Sequence, residues 1–94
     1  MPFEWDPTKA RTNEQKHGIG FREATEIFRG YVLTVEDTRR DYGERRLIAL
    51  GEYDGEIIRV VFTERNGNVR IITAWKANRN DRQSYQKARA HRQV

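Results

Sequence analysis

Two dipeptides constrain this chain more than anything else in it. Asp54-Gly55 and Asn66-Gly67 each sit between runs of alternating, β-branched residues. Both favour the positive φ angles of a two-residue type I′ hairpin turn. They predict three antiparallel strands, Arg46 to Tyr53, Glu56 to Arg65 and Asn68 to Lys76. Two-residue loops also set the register. Arg65 is expected to face Asn68, Thr63 to face Arg70, and Arg59 to face Ala74. On the other hairpin, Tyr53 faces Glu56, Leu50 faces Arg59 and Arg46 faces Thr63.

Side chains alternate between the faces of a strand, so the register assigns each residue to a face. One face holds Leu47, Ala49, Ile58, Val60, Phe62, Val69, Ile71, Thr73 and Trp75 and is expected to be the core. The other is apolar in its middle, with Ile48, Leu50, Val61, Ile72 and Ala74. At one end it carries Arg46, Thr63 and Arg70 in a row, with Glu44, Arg65 and Asn68 in the next.

The flanking segments supply helices. Phe3 and Trp5 mark a short N-terminal strand. Asp6-Pro7 is a helix start, with an N-cap acid and proline at N1, and Gly18 closes that helix. Between them only Ala10 is plainly apolar, so tertiary contacts must hold the helix. Phe21, Ala24, Ile27 and Phe28 fall on one face of a second helix over Gly20 to Arg29. Tyr31 to Glu36 reads as a strand, Asp37 to Tyr42 as a charged loop, and Ala77 to Arg92 as a basic third helix with Tyr85 and Ala88 as its apolar stripe. Helices set apart from hairpin-linked strands give an α+β fold: a mostly antiparallel sheet of four to five strands, two N-terminal helices and a C-terminal helix.

Composition narrows the chemistry. The 94 residues suit a single domain, and the net charge of +4 favours an acidic partner, nucleic acid first. There is no cysteine, hence no thiolate nucleophile or zinc–thiolate site. No apolar run has the length of a membrane span, and a cytoplasmic location is expected. No histidine and carboxylate set has metal-ligand spacing, and no glycine-rich phosphate loop occurs, so no metal or other cofactor is expected.

The ordered set of residues resembles the BrnT family. The likeness lies in Phe3-Glu4-Trp5-Asp6-Pro7, Lys9, Asn13, Lys16-His17-Gly18-Ile19, Phe21, Glu23-Ala24 and Phe28. It continues through Asp41-Tyr42-Gly43-Glu44, Arg46, Leu50-Gly51, Val61 to Glu64, Arg70-Ile71-Ile72-Thr73-Ala74, Lys76-Ala77 and Tyr85. Trp75 stands where many members carry arginine, and Asn78 and Asn80 make the start of the last helix less basic. The resemblance implies a RelE-like fold over residues 1–94 and a ribonuclease toxin of a type II toxin–antitoxin system that blocks translation by cutting RNA. It further implies neutralisation by a BrnA-like ribbon-helix-helix antitoxin, through which alone the toxin meets operator DNA. The alternative is a RelE-like module that binds protein or nucleic acid without catalysis.

Metal-free RNA cleavage needs a base for the 2′-hydroxyl, cations for the phosphate and an acid for the leaving oxygen. Arginine forks suit the phosphate. Arg46, Arg65 and Arg70 are therefore the candidate phosphate-binding groups, with Glu44 as base or as the group that orients an arginine. His17 is a further acid–base candidate, although a histidine capping the helix end explains its position as well. Arg59, Lys76, Arg79 and Arg82 are candidate RNA contacts. The same cluster could also be no more than cross-strand ion pairing on a solvated face.

Overall fold

The computed structural model describes residues 2–92. The elements are β1 (Phe3–Glu4), α1 (Pro7–His17), α2 (Phe21–Ala24), a 3₁₀ turn (Thr25–Arg29), β2 (Val32–Glu36), β3 (Leu47–Tyr53), β4 (Glu56–Arg65), β5 (Asn68–Lys76) and α3 (Arg79–Arg92). The strands form one mixed sheet in the order β1-β5-β4-β3-β2. Only β1 and β5 run parallel, with Phe3 beside Val69 and Glu4 beside Arg70. The fold is thus α+β, as the hairpin pattern requires. The helix expected over Gly20 to Arg29 divides instead into a four-residue α-helix and a five-residue 3₁₀ turn.

Both hairpin turns have the expected chemistry. Asp54 and Asn66 lie at φ 53° and 55°, and Gly55 and Gly67 follow at 78° and 80°. Tyr53 faces Glu56, Leu50 faces Arg59, Thr63 faces Arg70 and Arg65 faces Asn68. The β3–β4 ladder begins at Leu47–Phe62, one residue short of Arg46. There the Thr63 hydroxyl donates to the Arg45 carbonyl at 2.7 Å.

The β4–β5 register then shifts. Phe62 pairs with Ile71 but Val61 pairs with Thr73, so Ile72 is an extra residue in β5. Such a bulge reverses the facing of every residue beyond it. Ala74, expected on the mixed face, is fully buried in the main core, and Thr73 and Trp75 turn to the opposite side. Arg59 accordingly faces Trp75 and not Ala74.

The main core lies between the first face of the sheet and α1, α2 and the 3₁₀ turn. Phe21, Ala24 and Ile27 pack there on Leu47, Ala49, Ile58, Val60 and Phe62. Phe28 meets Phe3 at 5.3 Å and Phe62 at 5.5 Å, edge-on to the latter. Gly51 admits this packing. A Cβ there would come within 2.6 Å of the Ile27 Cβ and 3.1 Å of Val32. On the second face α3 covers a smaller cluster of Leu50, Ile57, Ala77 and Tyr85, flanked by Tyr31 and Leu33. The Tyr85 hydroxyl donates to the Tyr31 carbonyl at 3.0 Å.

Helix α1 is held by its ends and by one buried side chain. Asp6 Oδ1 accepts from Thr8 N at 2.8 Å, and Gly18, at φ 71°, closes the C-terminus. Asn13 is 7% exposed. Its Nδ2 donates to the Ala74 carbonyl at 2.6 Å and the Ile19 carbonyl at 3.2 Å, and its Oδ1 accepts from Ala74 N at 3.2 Å. Where β1 stops, this carboxamide pairs the edge of β5 as a further strand would. Replacing Asn13 with alanine strands three backbone groups. The expected loss is about 3 kcal/mol, read as a lower denaturant midpoint with an unchanged slope. Asn13→Asp, which sets a buried carboxylate oxygen against the Ile19 and Ala74 carbonyls, is expected to destabilise at neutral pH at least as much as alanine.

Candidate functional site

The sheet's second face ends, beyond the bulge, in a dense set of charges. The register carries Thr63 and Arg70 across two strands, with Arg65 and Asn68 in the adjacent row. Glu44 reaches in from the loop before β3. Its Oε1 accepts from Arg65 Nη2 at 2.9 Å, and its Oε2 lies 3.5 Å from Arg46 Nε. Arg70 does not pair with Glu44. Its Nη1 donates to Glu4 Oε2 at 2.7 Å, while Asn68 Nδ2 donates to Glu4 Oε1 at 2.9 Å. Three guanidinium groups and two carboxylates therefore share one end of the sheet. Glu4 belongs to the motif that carries the family likeness but is not among the site candidates read from the sequence. The signal was present, since alternation along a strand carrying Phe3 and Trp5 puts Glu4 on the other face.

Both carboxyls are held below the usual carboxylate range. For Glu4 the main cause is the hydrogen bond from Asn68, followed by that from Arg70. For Glu44 it is the hydrogen bond from Arg65. Each is thus ionised near neutral pH and a weak base. Their chemistry suits orienting guanidinium forks better than removing a proton from a hydroxyl.

A second network lies beneath Arg46. Asp37, read from the sequence only as part of a charged loop, is 5% exposed. It takes three hydrogen bonds from Arg39, from Nε and Nη2 both at 2.8 Å and from the backbone N–H at 3.2 Å, and one from the Tyr42 hydroxyl at 3.1 Å. Its backbone N–H donates to the Arg46 carbonyl at 2.8 Å. The Tyr42 ring so fixed lies 4.1 Å from the Arg46 guanidinium carbon, well inside cation–π range. Arg46 is gripped by Glu44 on one side and by Tyr42 on another. Nothing in the local pattern marks Asp37 as buried, because its partners Arg39 and Tyr42 make the whole segment look solvated.

The other candidates lie elsewhere. His17 is in the last turn of α1, where its ring meets Trp75 at 5.4 Å. Trp75 is five residues along β5 from Arg70, roughly 16 Å at the usual strand rise, so His17 does not join the arginine cluster. Arg59 is not a free cation. Its side chain is 14% exposed, and Nη1 donates to both Asp81 carboxylate oxygens at 3.1 Å. Its Nε, like Thr73 Oγ1, is buried without a hydrogen-bond partner among the described residues. Lys76 lies 3.3 Å from Glu56, and Arg82 donates to the Ala77 carbonyl at 2.9 Å. Arg79 is exposed at the start of α3.

A family model described as the ribonuclease toxin BrnT of a type II toxin–antitoxin system matches residues 5–81. The chain belongs to this family. No curated protein matches the chain. The BrnT match takes in Asp37, Tyr42, Glu44, Arg46, Arg65, Arg70 and His17, and it stops within the first turn of α3. Glu4 precedes it by one residue. Among the described residues of this BrnT chain, no helix is long and apolar enough to cross a membrane.

The Asp37 network gives a pH signature. Its carboxyl is held far below the ordinary 3.8, chiefly by the Arg39 hydrogen bond. The unfolded chain therefore takes up this proton first as pH falls. The stabilisation is complete above about pH 4–5 and declines progressively below it. Asp37→Asn is expected to cost about 1–3 kcal/mol at pH 7, with the gap to wild type narrowing below pH 4. Denaturant unfolding of both proteins between pH 3 and 7 checks this, and a constant gap would contradict it.

Proposed function

We propose that this BrnT chain is a metal-independent endoribonuclease with a RelE-like fold, a single domain over residues 1–94 that cuts RNA in the cytoplasm and so inhibits translation. Its partner is a BrnA-like ribbon-helix-helix antitoxin, and operator DNA is met only through that antitoxin. The observation that carries the reading is the convergence of Arg46, Arg65 and Arg70 on one end of the second sheet face, each oriented by a carboxylate.

In this reading the scissile phosphate displaces part of the carboxylate pairing and lies among the three guanidinium groups. They stabilise the negative charge that builds on its oxygens as the 2′-hydroxyl attacks. Glu44 and Glu4 hold the forks in place, and Tyr42 keeps Arg46 from swinging away. The attack breaks the bond to the 5′ oxygen and leaves a 2′,3′-cyclic phosphate; solvent water takes the 2′-hydroxyl proton and supplies one to the 5′ oxygen, so charge stabilisation carries the rate, with no histidine at the cluster to relay protons. Lys76, Arg79 and Arg82, around the start of α3, contact the RNA backbone outside the reacting phosphate.

Arg70→Ala is expected to lower the cleavage rate of the purified, antitoxin-free chain on RNA about 10²–10³-fold. The thermal midpoint should stay near wild type, because the pair it breaks is open to solvent, with side chains 30% and 31% exposed. Cleavage at the wild-type rate by the folded variant would remove Arg70 from the mechanism. If neither protein cuts naked RNA or RNA on ribosomes, the catalytic reading fails and a binding role replaces it.

A further inference from the structure

A groove that the proposed chemistry leaves unused begins at Ile72, two residues along β5 from Arg70. Helix α1 lies along β5, and between them is a hollow of about 280 Å³ lined by Lys9, Thr12, Lys16, His17, Ile72 and Thr73 among others. A second hollow of about 440 Å³, walled by Lys16, His17, Trp75 and Lys76, continues it. Both volumes are near or within the usual range for small-ligand sites. The two share Lys16 and His17, so they form one track.

The bulge makes this track possible. Had the register run straight, Trp75 would point into the core. Ile72 turns Thr73 and Trp75 onto the face that carries Arg70. The distance agrees along both walls: Thr8 to His17 spans about 14 Å of helix, and Arg70 to Trp75 about 16 Å of strand. The chemistry changes along the way. Hydroxyls and lysines line the part nearer Arg70, and at the far end is an aromatic pair, His17 against Trp75 at 5.4 Å and tilted by 44°, with the Arg59 guanidinium carbon 5.7 Å from the Trp75 ring centroid. Lys9 and Lys16 make no ion pair among the described residues.

We propose that Trp75 and His17, flanked by Lys16 and Lys76, form a base-stacking subsite for single-stranded RNA whose backbone follows the α1–β5 groove from the arginine cluster. This rests on the ribonuclease reading and extends it. Every base offers a π-face to an aromatic platform, and lysines beside it hold the backbone without reading sequence. An acidic peptide would use the lysines but would leave the aromatic pair without a role. The subsite sets how the strand is placed before cleavage, and it gives Trp75 a function separate from that of the arginines.

The test uses the full chain and a 2′-O-methylated single-stranded oligonucleotide of mixed sequence, which lacks the attacking hydroxyl. Tryptophan emission is expected to fall as the strand binds. The change should vanish in Trp75→Phe, which retains Trp5, and Trp75→Ala should bind about tenfold more weakly. A strand that binds with no change in emission, or with the same change in Trp75→Phe, overturns the subsite. So does an acidic peptide that alters the emission when the strand does not. Cleavage of unmodified RNA, run alongside, separates the two readings. If RNA is cut while Trp75 stays silent, only the subsite falls; if RNA is neither bound nor cut, both fall.

Discussion

The Asn13 carboxamide is the interaction on which the arrangement turns. It bonds both backbone groups of Ala74 at the point where β1 has ended and β5 would otherwise present a bare edge. A buried, unpaired peptide group is expensive, so β5 could not be buried beneath a helix at this point without such a partner. The same contact seats a helix that has almost no apolar surface of its own. It also stabilises the backbone just past Ile72, where the ladder is broken. Helix, bulge and groove are in this sense one feature.

The two kinds of charge pairing in the molecule differ in what they can do. Arg59 and Asp81 are largely buried, at 14% and 17% exposure, and they join the middle of the sheet to the first turn of α3. Removing either partner leaves a charge without solvent or counterion, so this pair is tied to the fold. The pairs at the Arg70 end are more open, and exposed ion pairs add little to stability. A set of weak pairs at one end of an apolar face makes poor structural sense by itself. Under the proposed function these are guanidinium groups kept in position until an anion takes the place of the carboxylates.

Much of this was legible in the residues. The two turn dipeptides fixed the register as far as Phe62, and with it the neighbours Thr63, Arg65, Asn68 and Arg70. Asp6, Pro7 and Gly18 bounded α1. The bulge was not legible, because Ile71, Ile72 and Thr73 are all β-branched and no glycine or proline marks the extra residue. Trp75 was therefore assigned to the wrong face. The partner of Arg70 was hidden for a different reason: Glu4 lies 66 residues away on a parallel strand, which no turn announces. Asp37 was hidden by its surroundings, since burial of an acid among other charged residues leaves no hydrophobic trace. The second helix broke into a 3₁₀ turn where Thr25 to Arg29 must fit the strand beneath, at Gly51.

The parallel pairing of β1 with β5 has a consequence for the life of the chain. Synthesis proceeds from the N-terminus. Phe3 and Glu4 leave the ribosome early but have no strand to join until Val69 and Arg70 have followed. Asn13 likewise waits for Ala74, 61 residues later. The β3–β4 hairpin can form locally in the meantime, whereas the closing contacts are all of long range. Glu4 and Arg70 thus meet only after β2, β3 and β4, which lie between them in the chain, have emerged. A fragment released early carries most of the sheet but not the completed charge cluster. The topology itself makes assembly of that cluster wait for β5, which follows the other four strands of the sheet.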